Sequence, residues 1–416
     1  MTPSPRALGR RDFIRLAAAA AAAGLAPRRL KAAPPARPFE VSASLYAWEL
    51  HDEGVERILD NLQEMAAVNS VYLIGVMHPE HRPLGGGVFP HNPVRATWNA
   101  EDARCYWHPD PKHYGRIKPR LSDYAWLSGT DWVQTLADAA RRRGLRLGVE
   151  NSHALVDRSR AEGEFADCAC RDLQGGIVQV RPWLRPLCPN HPDVRAYALA
   201  LYSELAETYR VDYAQSAIVS FEEGGPERAG CFCRSCRKAA AERGLDLSAV
   251  QAALRRDPRS EPALSQWRAF RFESTAGFYR ELHAGLRRVR PDLDLRYSQH
   301  MARPEDWGVD LAQLRPHLGS LRVQEYTEQA GDPSAMPGKR ARLTEVRRKL
   351  GPDFPIHSAI GTRLKATPGL IREGVAIAAA CGMNGITLGH YDGATFPMLR
   401  AVRAGLAASV PGFAPA

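Results

Sequence analysis

After its first 36 residues the chain lacks any apolar run approaching the ~20 residues of a membrane span, so no stable span is expected in the mature protein. It also lacks self-similarity at a period of roughly 20–50 residues, which excludes a solenoid or a propeller. Gly 34 and Pro 31 in 416 residues are too few for a collagen-like or low-complexity chain. Acidic residues are in modest deficit, giving a net charge of +10. That excess does not point to nucleic acid. Residues 1–36 carry Arg6, Arg10, Arg11, Arg15, Arg28, Arg29 and Lys31 against Asp12, a net +6, which leaves +4 scattered over the rest. A surface that tracks phosphates needs a denser patch. What is present, 44% hydrophobic and 25% charged residues, suits a large globular core: two or three domains, or one barrel.

The N-terminus reads Arg10-Arg11-Asp12-Phe13-Ile14-Arg15-Leu16, followed by an alanine-rich stretch to Leu25 that has no polar face. Pro27, Pro34 and Pro35 then break it. A paired arginine, a Phe and a weakly apolar run form the pattern of a twin-arginine export signal. Residues 1–36 are therefore expected to be the signal and 37–416 a single domain, exported to the periplasm or beyond.

From Phe39 onward, short β-rich runs alternate with amphipathic helical runs. Strands are predicted at Glu40–Trp48, Ser70–Val76, Arg146–Glu150, Tyr213–Phe221, Leu293–Ser298, Leu321–Tyr326, Ile356–Ile360 and Gly385–Leu388. Helical patterns separate them; Val55, Ile58, Leu59, Leu62, Met65 and Ala66, for example, recur at a spacing of three to four. Eight such units in strict order predict an α/β fold of the (β/α)8 TIM-barrel type. A doubly wound sheet is disfavoured because no Gly-x-Gly-x-x-Gly turn follows the first strand. The chain exceeds the ~250 residues of a plain barrel. The surplus falls in long βα loops after strands two (77–130), three (151–192) and four (222–270), on the face where barrel enzymes work.

The sharpest local signal is Cys231-Phe232-Cys233-Arg234-Ser235-Cys236. A disulfide within Cys231-x-Cys233 would be strained, whereas three thiolates plus a fourth suit tetrahedral zinc. Cys188, Cys168 and Cys170 are candidates for the fourth ligand. Cys105 and Cys381 read as ordinary thiols, the latter closing an apolar helix.

These cysteines have a recognisable context. Strand four runs into Val219-Ser220-Phe221-Glu222-Glu223-Gly224, and upstream stands Cys188-Pro189-Asn190-His191-Pro192-Asp193-Val194-Arg195. Over about residues 186–240 the chain resembles the family-42 β-galactosidases. In that family a Cys-Pro…Pro-x-x-Arg segment opens the helix before strand four, an Asn-Glu-x-Gly segment ends that strand, and four cysteines hold a zinc. The resemblance implies a structural zinc on Cys188, Cys231, Cys233 and Cys236. It also implies that Glu222 is the acid/base glutamate. Two positions depart from the family: its Asn before that glutamate is Phe221 here, and strand seven, Ile356-His357-Ser358-Ala359-Ile360-Gly361, lacks the family's nucleophilic carboxylate.

Glycoside hydrolysis needs two carboxyls flanking one bond. Because neighbouring strand residues point to opposite sides, Glu222 and Glu223 cannot both serve. Glu325 after strand six is the first choice of partner, Asp392 after strand eight the second and Glu150 on strand three the third. Tyr46, Trp48, His78, Asn151, His153, Gln299, His300, Tyr326, His390 and Tyr391 also stand at strand ends. Such aromatic, amide and imidazole groups suit the faces and hydroxyls of a sugar. The expected activity is a glycoside hydrolase acting on a carbohydrate. Two alternatives use the same residues. Glu150, His300, Glu325 and His390 are a possible ligand set for a metal-dependent sugar isomerase or epimerase, and the empty strand-seven position suits a carbohydrate-binding barrel without turnover.

Overall fold

A computed structural model describes residues 38–81, 88–102, 104–217, 221, 230–299 and 303–413. The leader expected over 1–36, together with Glu222, Glu223 and His300, lies outside these residues. Among the described residues no helix is long and apolar enough to cross a membrane.

Eight parallel strands close into a barrel: β1 Glu40–Leu45, β2 Ser70–Val76, β3 Arg146–Asn151, β4 Tyr213–Ala217, β5 Asp294–Gln299, β6 Ser320–Val323, β7 Ile356–Gly361 and β8 Gly385–Gly389. Each pairs with its neighbour in the chain, and β8 returns to β1 with Ser42 opposite Thr387. The principal helices are α1 Ala47–Glu53, α2 Val55–Ala66, α3 Trp132–Arg142, α4 Pro192–Glu204, α5 Arg234–Ala241, α6 Leu247–Arg256, α7 Glu261–Val289, α8 Met336–Leu350, α9 Pro368–Ala380 and α10 Phe396–Ser409. This is a TIM barrel, as the alternating pattern requires.

The strands are buried on both sides. Their outward residues, among them Val41, Ala43, Val71, Leu73, Val149, Leu295, Leu321, Ile386 and Leu388, are buried beneath the helices. The inward residues are largely polar and must satisfy one another. At the N-terminal end Arg296 donates to Glu40 at 2.8 Å and to Asp294 at 3.2 Å, and Arg146 also pairs with Glu40. Burial alone would raise the Glu40 pKa, but Arg296 and its neighbours outweigh it and hold the carboxyl well below its usual range. Higher up, the Ser42 and Thr387 hydroxyls meet at 2.8 Å.

Two strands stop earlier than their hydrophobic patterns suggest, and both stops bear on the site. β1 ends at Leu45 because Glu49 of α1 accepts the Tyr46 N–H at 3.0 Å, which turns Tyr46–Trp48 into a helix start. β6 ends at Val323, where the Glu325 N–H folds back onto the Val323 carbonyl at 3.1 Å, and a short turn over Thr327–Ala330 follows. The insertion after β3 carries a two-stranded ribbon, Leu155–Asp157 against Leu184–Pro186. The insertion after β2 is fastened to α4 by buried Glu204, which accepts from Trp107 Nε1 at 3.0 Å, from the Asp110 N–H at 2.6 Å and from the Tyr114 hydroxyl.

Candidate active site and cysteine knot

The cysteine knot is assembled from two segments. Pro189 and Asn190 lead into α4 and leave Cys188 facing α5. Cys231 precedes α5, Cys233 caps its N-terminus by accepting the Cys236 N–H at 3.5 Å, and Cys236 lies in its first turn. The sulfurs of Cys188, Cys231, Cys233 and Cys236 all lie within 4.8 Å of one another, with Cys188 3.4 Å from Cys236 and 3.5 Å from Cys233. Tetrahedral zinc with Zn–S near 2.3 Å places sulfurs about 3.8 Å apart, so the four residues fit the ion. Asn190 donates to Cys236 Sγ at 3.3 Å and its backbone N–H to Cys188 Sγ at 3.4 Å, the outer-shell support a thiolate site needs. Burial would raise the Cys188 thiol, yet hydrogen bonds from Cys170, Cys233 and Cys236 lower it to about 6. Burial opposes ionisation of Cys231 as well, and hydrogen bonds from Cys170, Cys188, Cys233 and Cys236 bring it well below its ordinary value. Cys233, through the same thiol–thiol hydrogen bonds, and Cys236, through burial and those bonds, are displaced the other way, so the four sulfurs share protons rather than all ionising. Phe221, which stands where the family has Asn, packs with Phe232 and Phe270 around buried Trp267 in the apolar cluster behind the knot.

Of the other two candidates for the fourth thiol, Cys170 lies against Cys188 and Cys231 as an additional thiol. Cys168 turns away toward His191, its Sγ 3.6 Å from Nδ1.

At the C-terminal end of the barrel a continuous polar and aromatic set spans the mouth. Glu150 of β3 accepts from Gln215 of β4 and faces Arg322 of β6 at 3.5 Å. Arg322 also donates to Ser298 at 3.0 Å and to the Tyr326 hydroxyl at 2.5 Å. The Tyr326 ring lies 6.2 Å from His390, and His390 lies 5.0 Å from Tyr46. Ser44 meets His390 Nδ1. Arg363, just after β7, lies 5.6 Å over the Tyr46 ring and donates its Nε to Asp392 at 2.8 Å. Burial raises the Glu150 carboxyl above its ordinary pKa despite Arg322. Burial, reinforced by Arg363 and Arg322, keeps His390 neutral. Tyr46, Tyr326, His390 and Asp392 are therefore brought together, with Glu150 at one end of the set.

Several other expected residues do not join it. Glu325 is the principal correction. With Arg322 and Gln324 on the inner side, it falls on the outer side of its strand end, where Arg342 of α8 donates Nε to its Oε1 at 2.6 Å and Thr327 donates at 2.8 Å. Tyr391 likewise turns to the helix layer, its hydroxyl accepting from Asn61 of α2 at 2.9 Å and donating to Glu53 of α1 at 3.1 Å. Trp48 is fully buried and backs Tyr46, stacked at 4.2 Å. Asn151 is buried and accepts the Val76 N–H at 3.0 Å. His153 sits among Tyr197, Tyr202 and Phe278, where burial lowers it to about 4. It lines a side cleft of about 40 Å³, shared with His78, between the loops after β2 and β3. Gln299 is buried, and its carbonyl accepts the Gln324 N–H at 2.6 Å.

Arg322 and Arg363 were not anticipated. For Arg322 a signal existed: in Ser320-Leu321-Arg322-Val323 a charge alternates with apolar residues inside a buried strand, and such a charge must face a partner within the barrel. Among the described residues the groups of three or more metal-type donors are the knot and Asp167–Cys168–His191. Glu150, Glu325 and His390 form no such group, since Glu325 is held by Arg342 and His390 Nδ1 meets Ser44.

Neither a protein-family profile nor any curated protein matches the chain. Solved structures do. The chain is a distant structural match to family-42 β-galactosidases. It is 15% identical to the β-galactosidase from Bacillus circulans sp. alkalophilus, with a TM-score of 0.58, covering 88% of this chain and 55% of that one. It is 13% identical to Gan42B, a GH42 β-galactosidase from G. stearothermophilus, with a TM-score of 0.57, covering 89% of this chain and 56% of that one. It also matches the PgaB (BpsB) glycoside hydrolase domain from Bordetella bronchiseptica at 15% identity and a TM-score of 0.60, over 90% of this chain and 100% of that one. The chain thus spans little more than half the length of the β-galactosidases. At these identities the likeness is one of fold, that of a glycoside hydrolase-like barrel.

Proposed function

We propose that the protein is an exported glycoside hydrolase that cleaves a carbohydrate by carboxylate acid/base chemistry at the mouth of its barrel. The observation that carries this reading is the mouth set itself. Two carboxyls, Glu150 and Asp392, each held by an arginine, stand at the two ends of the contact chain through Arg322, Tyr326, His390, Tyr46 and Arg363. Aromatic and imidazole faces between carboxyls suit a sugar ring. In this reading Glu222 supplies the acid/base function that the family resemblance implies. Asp392, ion-paired to Arg363, is its partner as nucleophile or as base for a water. Glu150, with its carboxyl raised by burial, is placed to hydrogen-bond a sugar hydroxyl. Glu325 is assigned no chemical role, because it lies on the outer side of its strand end, against Arg342 of α8.

The knot is proposed to bind zinc structurally, through Cys188, Cys231, Cys233 and Cys236, and to brace the loop that carries Glu222. Zinc there ties a long insertion to the barrel, and none of the bond-breaking chemistry is assigned to it. Export through the twin-arginine leader completes the reading, with the carbohydrate met outside the cytoplasm.

The test is turnover of aryl glycosides and oligosaccharides by the purified mature chain. Hydrolysis that falls ~10²–10⁴-fold in Glu222→Gln, with sugar binding retained, is the expected result. Sugar binding with no turnover by the unaltered chain would instead favour a binding barrel, and chelator-sensitive sugar interconversion an isomerase.

A further inference from the structure

The segment that builds the knot contains a second constellation that the knot does not use. Cys168 and Cys170 flank Ala169, whose bridge partner Leu187 directly precedes the knot ligand Cys188. Backbone bonds lock the two segments together, the Cys188 N–H to the Cys168 carbonyl at 2.8 Å and the Cys170 N–H to the Pro186 carbonyl at 2.9 Å. Each segment sends one side chain each way. Cys170 and Cys188 face the knot, whereas Cys168 and His191 face the opposite side, where Asp167 joins them.

We propose that Asp167, Cys168 and His191 form a second metal site, separate from the knot, for a borderline divalent cation such as zinc. Cys168 Sγ lies 3.7 Å from His191 Nε2 and 3.7 Å from Asp167 Oδ1, and Asp167 Oδ2 lies 3.7 Å from His191 Nε2. Tetrahedral zinc, with bonds of about 2.0–2.3 Å, sets its ligand atoms about 3.3–3.8 Å apart. Each pair of residues meets at about that separation, Asp167 through Oδ1 toward Cys168 and through Oδ2 toward His191, and one donor atom from each of the three lies within 4.8 Å of the other two. Cys168 and His191 are buried and Asp167 is exposed, so the fourth position opens to solvent and a water. One thiolate, one imidazole and one carboxylate match the preferences of zinc rather than of magnesium or calcium.

The surroundings are those of a ligand set with an outer shell. Arg116 grips the Asp167 carboxylate through both terminal nitrogens at 2.7 Å, and also reaches the Glu164 carbonyl at 2.6 Å and Asp193 at 3.2 Å. Such a clamp orients a ligating carboxylate while leaving lone pairs for the ion. His191 Nδ1 accepts the Asp193 N–H at 3.2 Å, capping α4. A metal on Nε2 moves the ring proton to Nδ1 and ends that cap, at a cost of about 1 kcal/mol. Binding also releases the Cys168 thiol proton to solvent. The thiolate formed on binding and the Asp167 carboxylate, already ionised against Arg116, together carry two negative charges toward a divalent cation.

The test counts metal in the full mature chain. Zinc-loaded protein, freed of loose metal by gel filtration, should hold two zinc ions per chain by elemental analysis. Cys168→Ser and the milder, exposed Asp167→Asn should each hold one. In cobalt-substituted protein the intense tetrathiolate absorption of the knot should persist in both variants, while the weaker single-thiolate contribution disappears in Cys168→Ser. One zinc per chain in the unaltered protein, with the tetrathiolate spectrum intact, would overturn the second site and leave the knot standing. Two zinc ions in both variants would overturn it equally.

Discussion

The cysteine knot and the barrel mouth lie at the same end of the fold but are built in opposite ways. Three of the knot's four sulfurs come from six consecutive residues, and the fourth is set by the turn before α4. The mouth draws Tyr46, Glu150, Arg322, Tyr326, Arg363, His390 and Asp392 from the ends of β1, β3, β6, β7 and β8. In the knot, spacing alone largely fixes geometry, because thiols this close in sequence have few ways to avoid one another. At the mouth, geometry depends on which way each residue faces once its strand has ended, and one residue of difference reverses the direction. Local clusters therefore specify a site more tightly than residues gathered by topology.

The comparison can be broken at the knot first, where the largest effect is expected. Cys236→Ser, or exhaustive chelation, should remove the knot zinc and cost several kcal/mol of stability, seen as a fall in Tm of ~10 °C or more. Unchanged melting after confirmed zinc loss would mean that the knot does not brace the fold. At the mouth, Glu222→Gln should reduce kcat by ~10²–10⁴-fold with Tm nearly unchanged; a loss of stability without a loss of turnover would reverse the roles of the two regions.

A third, smaller effect comes from acid. Burial holds His153 at about 4, below its ordinary 6.5, so the folded chain binds fewer protons than the unfolded chain between those values. Stability is then full above pH 6.5 and declines as pH falls toward 4, by about 3 kcal/mol for a fully buried group. Thermal melts at pH 7 and pH 4.5 should show that decline, and His153→Gln should flatten it. An equal slope in the variant would place the acid sensitivity elsewhere, with buried His357, lowered to about 3, as the next group to test. The smallest effect belongs to Glu325. Its ion pair with Arg342 is partly exposed, so Glu325→Gln should change stability by about 1 kcal/mol or less, measured by urea unfolding.

The barrel was legible because its strands and helices alternate at different periods, and Ser70–Val76 matches its expected span residue for residue. The strand ends were less legible for a specific reason. At Tyr46 a glutamate three residues on caps the backbone and starts a helix, and at Gln324–Glu325 the chain folds back on Val323. Counting by twos from Leu321 puts Glu325 on the outer side, and its expected place in the mouth rests on its position at the end of strand six rather than on the face it takes. The arginines were hidden differently. Arg363 reads as an ordinary charge in sequence, Arg322 carries only the signal of a charge inside a buried strand, and closure of the barrel sets them against Asp392 and Glu150. Three of the knot's cysteines needed no such step, since their spacing was visible in the chain; the fourth, Cys188, came from the family resemblance.

The central claim is that carboxyls facing the barrel axis carry the chemistry and those turned to the helix layer do not. It is tested most directly by measuring kcat of Asp392→Asn and Glu325→Gln side by side on one aryl glycoside that the unaltered protein hydrolyses. A loss of ~10²–10⁴-fold in Asp392→Asn with Glu325→Gln within a few-fold of the unaltered protein is the predicted result. A large loss in Glu325→Gln with Asp392→Asn fully active would contradict it.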